Sequence, residues 1–234
     1  MGTDWTKSSW RSPGQRYLWT ASSAGLLVFS GWLTLATYAD VRQQTSTPPE
    51  IKRDVIVRNV ADHLGHKASF RILLFSDEFR WRLNSFDALE SGVATPQFTP
   101  EMKAVLNNAQ EIICIGTSSE ELPKSVSYEE GRRQEERRAA RRAEQIAVWV
   151  RSSLTKPIPV RKLNIGHHAP TGHVSDTSDQ RRVVIILVLD HDEDTRIDEA
   201  LRVAMSQESV RTPIFNTLLN QYSLASSHTF TWVQ

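Results

Sequence analysis

Apolar residues recur at Ala139, Ala143, Ile146, Ala147, Val150 and Leu154, the i, i+4, i+7, i+8, i+11, i+15 stripe of a helix laid on a sheet. The spacing predicts a helix from Tyr128 to Leu154 with a charged outer side. A shorter helix is predicted over Pro100 to Asn107, where Thr99 supplies an N-cap hydroxyl, Pro100 fits the first helical position and Glu101 suits the first turn. Apolar Val55, Ile56, Val60, Ala61 and Leu64 fall at helical spacing, so Ile51 to Leu64 reads as a short amphipathic helix. Two more helical stretches are expected at Ile197 to Met205 and Ile214 to Tyr222.

Strand patterns alternate with these helices. Phe70 to Phe75 is one, and Glu78 to Leu83 sets Phe79, Trp81 and Leu83 against Arg80 and Arg82 with period two. Glu111 to Ile115 is a compact apolar strand ending at Gly116, and Val160 to Ile165 is another. Val183 to Leu189 is apolar on both faces, which marks a central strand. The tail closes on Phe230-Thr231-Trp232-Val233. Strands interleaved with helices in this order form an α+β pattern, expected to pack as one sheet covered by helices on one face.

The longest apolar run lies near the N-terminus. The 22 residues from Tyr17 to Tyr38 carry no charge, enough at about 1.5 Å per residue to cross a bilayer core of roughly 30 Å. Lys7, Arg11 and Arg16 precede it against Asp4, a cationic flank that holds the N-terminus in the cytoplasm. A cleaved signal peptide is the alternative, with Thr37-Tyr38-Ala39 as its small-x-small site; the length of the run and its Trp19, Trp32 and Tyr38 favour a retained anchor. The expected organisation is a cytoplasmic tail (1–16), a transmembrane helix (17–39), a linker (40–50), a helix-and-strand extension (51–78), an exported domain (79–190) and a helical extension (191–234).

Charge changes this picture only locally. Lys plus Arg number 28 and Asp plus Glu 27, a net charge of +1, so the chain lacks the global basic footprint of a nucleic-acid binder. The single cysteine, Cys114, sits in an apolar run and reads as a buried, inert thiol. Arg132, Arg133, Arg137, Arg138, Arg141 and Arg142 lie among Glu129, Glu130, Glu135, Glu136 and Glu144, with Glu129 to Arg133 and Glu135 to Arg138 at helical pairing distance. A solvated helix face is the plain reading. A docking surface for polyanion, acidic lipid or an acidic partner is the alternative, since Arg138 and Arg142 stack like charges.

His167, His168 and His173 are weak metal candidates, because adjacent histidines in extended chain point apart and no Cys supports them. Asp190, Asp192 and Asp194 resemble the start of a calcium loop, yet Thr195 and Leu201 stand where Gly and Glu are required. No cofactor is expected. No nucleophile has a partner frame and no Gly-rich phosphate loop is present, so an enzyme is not expected either. Within the anchor, Thr20, Ser23, Ser30, Thr34 and Thr37 share one helix side, which suits association with a second copy or another span.

Read in order, four passages carry a family resemblance. Phe86 to Leu106 (FDALESGVATPQFTPEMKAVL) opens the series, Glu111 to Ser119 (EIICIGTSS) follows, then Glu136 to Ile146 (ERRAARRAEQI) and Gln180 to Val183 (QRRV). Together they resemble the OmpA-like peptidoglycan-binding domain, also found in flagellar stator B subunits and the peptidoglycan-associated lipoprotein, across about 110 of the 234 residues. The resemblance implies a βαβαββ sheet and a bacterial inner-membrane protein with a periplasmic domain. It also implies a clamp in which an Asp after the second passage takes the ammonium of the stem-peptide diaminopimelate. An Arg of the helix pairs with its carboxylate.

Arg142 matches that Arg, with Arg138, Arg181 and Arg182 in the neighbouring motifs, but the Asp position falls on Ser119. A hydroxyl cannot neutralise an ammonium, and losing one side of a desolvated charge pair costs roughly 2 to 5 kcal/mol, enough to turn a micromolar grip towards millimolar. Glu120 or Glu121 can supply the carboxylate only if the loop is built differently. The expected function is therefore a non-enzymatic scaffold or anchor in an envelope assembly. A working cell-wall tether is the alternative, and a stator-like or secretion-complex subunit another. The stator reading lacks the acidic residue in the span that ion conduction needs.

Overall fold

The computed structural model describes residues 48–92, 95–119, 126–168, 177–206 and 231–232. Outside them lie the expected cytoplasmic segment and anchor (1–39), Glu120, Glu121, His173, and the helix expected at Ile214 to Tyr222. Among the described residues no helix is long and apolar enough to cross a membrane.

The chain order is β1 (Ile51–Ala61), β2 (Lys67–Phe75), α1 (Pro100–Asn107), β3 (Glu111–Ser118), α2 (Tyr128–Ser153), β4 (Val160–His167), β5 (Val184–His191), α3 (Ile197–Ser206) and β6 (Thr231–Trp232). One sheet holds the strands in the order β1-β2-β5-β3-β4-β6. Only β3 and β4 run parallel to each other; the other neighbours are antiparallel. From β2 to β5 the sequence of elements is βαβαββ. The two-residue β6, from the chain's tail, pairs with β4 through Arg161 to Trp232 and Lys162 to Thr231.

Both predicted long elements of the helix layer form where their caps place them. Thr99 accepts the N–H of Met102 at the start of α1, and Ser127 accepts that of Glu130 at the start of α2. Along α2 the buried side includes Ala139, Ala143, Ile146, Ala147 and Val150. It lies so close to β3 that a Cβ on Gly116 would sit 1.9 Å from the carbonyl oxygen of Ala139. The absent side chain is what allows this approach.

Three expectations fail. The amphipathic helix expected over Ile51 to Leu64 is the edge strand β1. Val57 pairs with Phe70 and Val60 with Ala68, three steps on β1 against two on β2, so one residue bulges out. Asn59, at φ 54°, takes the left-handed conformation there and its N–H reaches Ser69 Oγ at 3.2 Å. The bulge lets Val57 and Val60 both face the core, and that spacing of three imitates a helix.

The strand expected at Glu78 to Leu83 is a 3-10 turn over Asp77–Phe79 followed by isolated bridges from Arg80 to Arg182 and Trp81 to Leu89. Its period-two pattern does bury Phe79 and Trp81, but the backbone bonds to loops rather than to a ladder: the Trp81 N–H donates to the Arg181 carbonyl at 2.8 Å.

The third concerns layers. Helices cover both faces of the sheet, not one. Leu73, Phe75, Ile112, Cys114, Ile185 and Leu187 pack under α1 and α2 with Met102, Leu106, Ile146 and Trp149. Phe70, Ile72, Leu74, Ile113, Ile115, Val184, Ile186 and Val188 point the other way, where Ile197, Leu201 and Met205 of α3 meet them. Strands apolar on both sides need cover on both sides.

Candidate functional site

Arg138 and Arg142, singled out in the sequence, lie near the middle of α2, where it meets the C-terminal end of β3. Arg142 points inward from α2 and is fully buried. Its Nη1 donates to the carbonyl of Thr117 at 2.8 Å and its Nε to that of Ser85 at 2.9 Å; Nη2 lies 3.5 Å from the Arg82 carbonyl. The guanidinium also lies 5.6 Å from the centre of the Trp81 ring. A buried cation is costly unless its donors are matched, and here backbone dipoles and a π face match them. The effect is to latch the 82–85 turn to the end of β3.

Ser119 follows β3 directly and is buried, as is Ser118. The carboxylate of this junction comes from the charged stretch of α2, whose plain expectation is a solvated face. Glu135 is 0% exposed. Its carboxylate accepts the Ser118 hydroxyl and pairs with the Arg138 guanidinium. A signal for this was available. Glu135, Ala139, Arg142, Ala143, Ile146 and Val150 stand at i, i+4, i+7, i+8, i+11 and i+15, so Glu135 and Arg142 both belong to the buried stripe.

Arg181 and Arg182 are buried beside the same turn region. Arg181 Nη1 donates to the Trp81 carbonyl at 3.1 Å and to Glu90 Oε1 at 3.0 Å, and Arg182 pairs with Asp77. That guanidinium, first among several groups, holds the Asp77 carboxyl below its ordinary range. Thr117 Oγ1 donates to the Gln180 carbonyl at 3.0 Å. Arg138, through Glu135, and Arg142 thus meet the end of β3 that leads into Ser119, whereas Arg181 and Arg182 hold the 77–90 segment through Trp81, Glu90 and Asp77; Glu120 lies outside the described residues.

The histidines sit at the adjoining end of β4. His167 and His168 are buried, and the His168 N–H donates to the Ser118 carbonyl at 2.9 Å. Burial lowers the His167 pKa, while Glu136, with Oε1 at 3.8 Å from Nδ1, acts in the opposite direction. Among the described residues no group of three His, Cys, Asp or Glu is placed to hold a metal. Cys114 is buried in the core, which pushes its thiol pKa far up.

By its elements this is a mixed α+β domain built on a βαβαββ core. No family model matches the chain. No curated protein matches it. Among solved structures, the OmpA-like domain of FopA1 from Francisella tularensis subsp. tularensis SCHU S4 is similar at 10% identity, over 61% of this chain and 98% of that chain, with a TM-score of 0.30. A superposition that shallow equates no residue of the two chains.

Proposed function

We propose that this chain is a non-enzymatic, single-pass protein of the bacterial inner membrane whose α+β domain stands in the periplasm as a scaffold or anchor for envelope proteins. The observation that carries the reading is the state of Arg142. In an OmpA-like clamp this residue faces a ligand carboxylate; here its Nη1 and Nε are directed at the carbonyls of Thr117 and Ser85 in a fully buried setting. Ser119 carries no charge for an ammonium, and the carboxylate of the junction, Glu135, is held by Ser118 and Arg138. The clamp positions have become part of the fold.

A working tether is the second reading, favoured by the presence of a carboxylate and a guanidinium at one strand end. Pelleting of the full-length protein, in detergent, with purified sacculi separates the two. The scaffold reading expects no retention above a non-binding control, and none after Ser119→Asp, because the donors of Arg142 are already engaged. Retention of the wild type that Arg142→Gln abolishes without unfolding the protein overturns it.

Anchoring rests on the Tyr17 to Tyr38 run and its cationic flank. A reporter enzyme active only in the periplasm, fused after Gln234, is expected to be active, with Met1 to Asp40 retained in the mature protein. A mature N-terminus at Asp40 would mean a cleaved signal peptide instead.

A further inference from the structure

A cleft of about 300 Å³ opens between the 82–87 turn and the outer side of α2, lined by Asn84, Phe86, Gln134, Arg137, Arg138 and Arg141. We propose that it binds a dianionic oxyanion of the phosphomonoester class. This reading is independent of whether the chain binds peptidoglycan.

Three guanidiniums share the cleft, and no carboxylate lines it among the described residues. Glu135, behind it, pairs with Arg138 and neutralises one of the three. Arg137 and Arg141 make no ion pair among the described residues, although their helix carries acids on other sides. Glu129 and Glu130 pair with Arg132 and Arg133, and Glu144 pairs with Lys162. Two exposed positive charges without an ion pair among the described residues therefore remain one helical turn apart, a mild like-charge repulsion that an anion between them would relieve.

Arg141 is held in place for this task. Its Cζ lies 4.7 Å from the centre of the Phe86 ring. A guanidinium held against an aromatic face keeps its in-plane N–H donors available, in the fork that fits two oxygens of a phosphate. A phosphomonoester carries about −1.5 to −2 charge near pH 7, which matches the two unpaired arginines, where a carboxylate leaves one unmatched. Asn84 and Gln134 add neutral polar side chains to the lining. The volume exceeds that of one phosphate and leaves room for the group it esterifies.

The phosphate can belong to a soluble ester or to a monoester lipid headgroup, and the test separates them. The full-length protein in neutral detergent is titrated with sodium phosphate, sodium acetate and sodium chloride at constant ionic strength, with calorimetry and the melting midpoint as readouts. Phosphate is expected to bind saturably and raise the midpoint, with acetate no better than chloride. Arg137→Gln/Arg141→Gln is expected to weaken phosphate binding at least tenfold while moving the midpoint in chloride little, since the relief of a like-charge pair is offset by the lost contact of Arg141 with Phe86. Arg132→Gln/Arg133→Gln, on the same helix but outside the cleft, is expected to bind as wild type does. Tighter binding of glycerol 3-phosphate identifies a soluble ester; tighter binding to micelles doped with phosphatidic acid than with phosphatidylcholine identifies the headgroup. Phosphate no better than acetate, or equal weakening in both double variants, overturns the proposal.

Discussion

Arg142 illustrates how a single side chain can tie a strand to a turn, with Nη1 on the Thr117 carbonyl of β3 and Nε on the Ser85 carbonyl of the 82–85 turn. Replacing it by Met keeps much of the volume but strands the carbonyls of Thr117 and Ser85, each a loss of about 1 to 3 kcal/mol when a buried acceptor goes unmatched. We expect Arg142→Met to destabilise the protein by about 2 to 5 kcal/mol, read as a lower urea midpoint at unchanged m. A change under about 0.5 kcal/mol would mean that the latch does not form. His167 adds a pH dependence. Its folded pKa lies below the ordinary 6.5 because burial disfavours the cation, so below 6.5 the unfolded chain binds the proton more readily. Stability is therefore full above 6.5 and declines as the pH falls towards the folded value. The carboxyl of Asp77, held below its ordinary 3.8, acts only in a more acidic window. His167→Gln is expected to flatten the urea midpoint between about pH 5 and 7; an unaltered slope there would place the titration elsewhere.

At the scale of elements, the long helix α2 is held to β3 by the missing side chain of Gly116. A methyl group there would meet the Ala139 carbonyl at 1.9 Å and the Ala143 nitrogen at 2.7 Å, both backbone atoms that cannot rotate away. Gly116→Ala is expected to lift α2 from the sheet, at a cost at or above the usual 1 to 3 kcal/mol for overpacking, about 3 or more here. The same displacement carries Glu135 and Arg142 away from Ser118 and Thr117. A melting midpoint within about 2 °C of wild type would show that the helix does not approach so closely. The strand β1 is kept in register by its bulge at Asn59, a residue type that tolerates the left-handed conformation there.

For the whole molecule, the decisive feature is cover on both sheet faces. α1 and α2 close one face and α3 the other, with Ile197, Ala200, Leu201, Ala204 and Met205 all buried. If α3 were a peripheral extension, Leu201→Ala would be nearly silent. Because Leu201 packs over the strands, we expect a loss of about 2 to 5 kcal/mol by equilibrium unfolding. An effect under about 1 kcal/mol would return α3 to the periphery. The polar junction and the arginine cleft both involve α2, while α3 packs on the other face and is tied at its start to the β1–β2 turn, where Asp62 accepts the Arg196 N–H at 2.9 Å.

What the sequence alone determined is the part that local chemistry decides. Thr99 and Pro100 set the start of α1, a period near 3.6 laid down α2, and short apolar runs marked β2 to β5, with β5 rightly read as central because neither of its faces was polar. That same observation already argued against helices on one face only. The rest depended on contacts between distant positions. β1 read as a helix because its bulge, which only pairing with β2 reveals, spaced Val57 and Val60 by three. Glu78 to Leu83 alternated like a strand yet found loop partners instead of a ladder. The resemblance led to Arg142 and Ser119, but whether a guanidinium faces a ligand or three carbonyls is set by the turn packed against it, 57 to 60 residues away at Ser85 and Arg82. Side-chain spacing fixes which face of an element a residue occupies; the fate of its charge is decided by what the tertiary fold brings to that face.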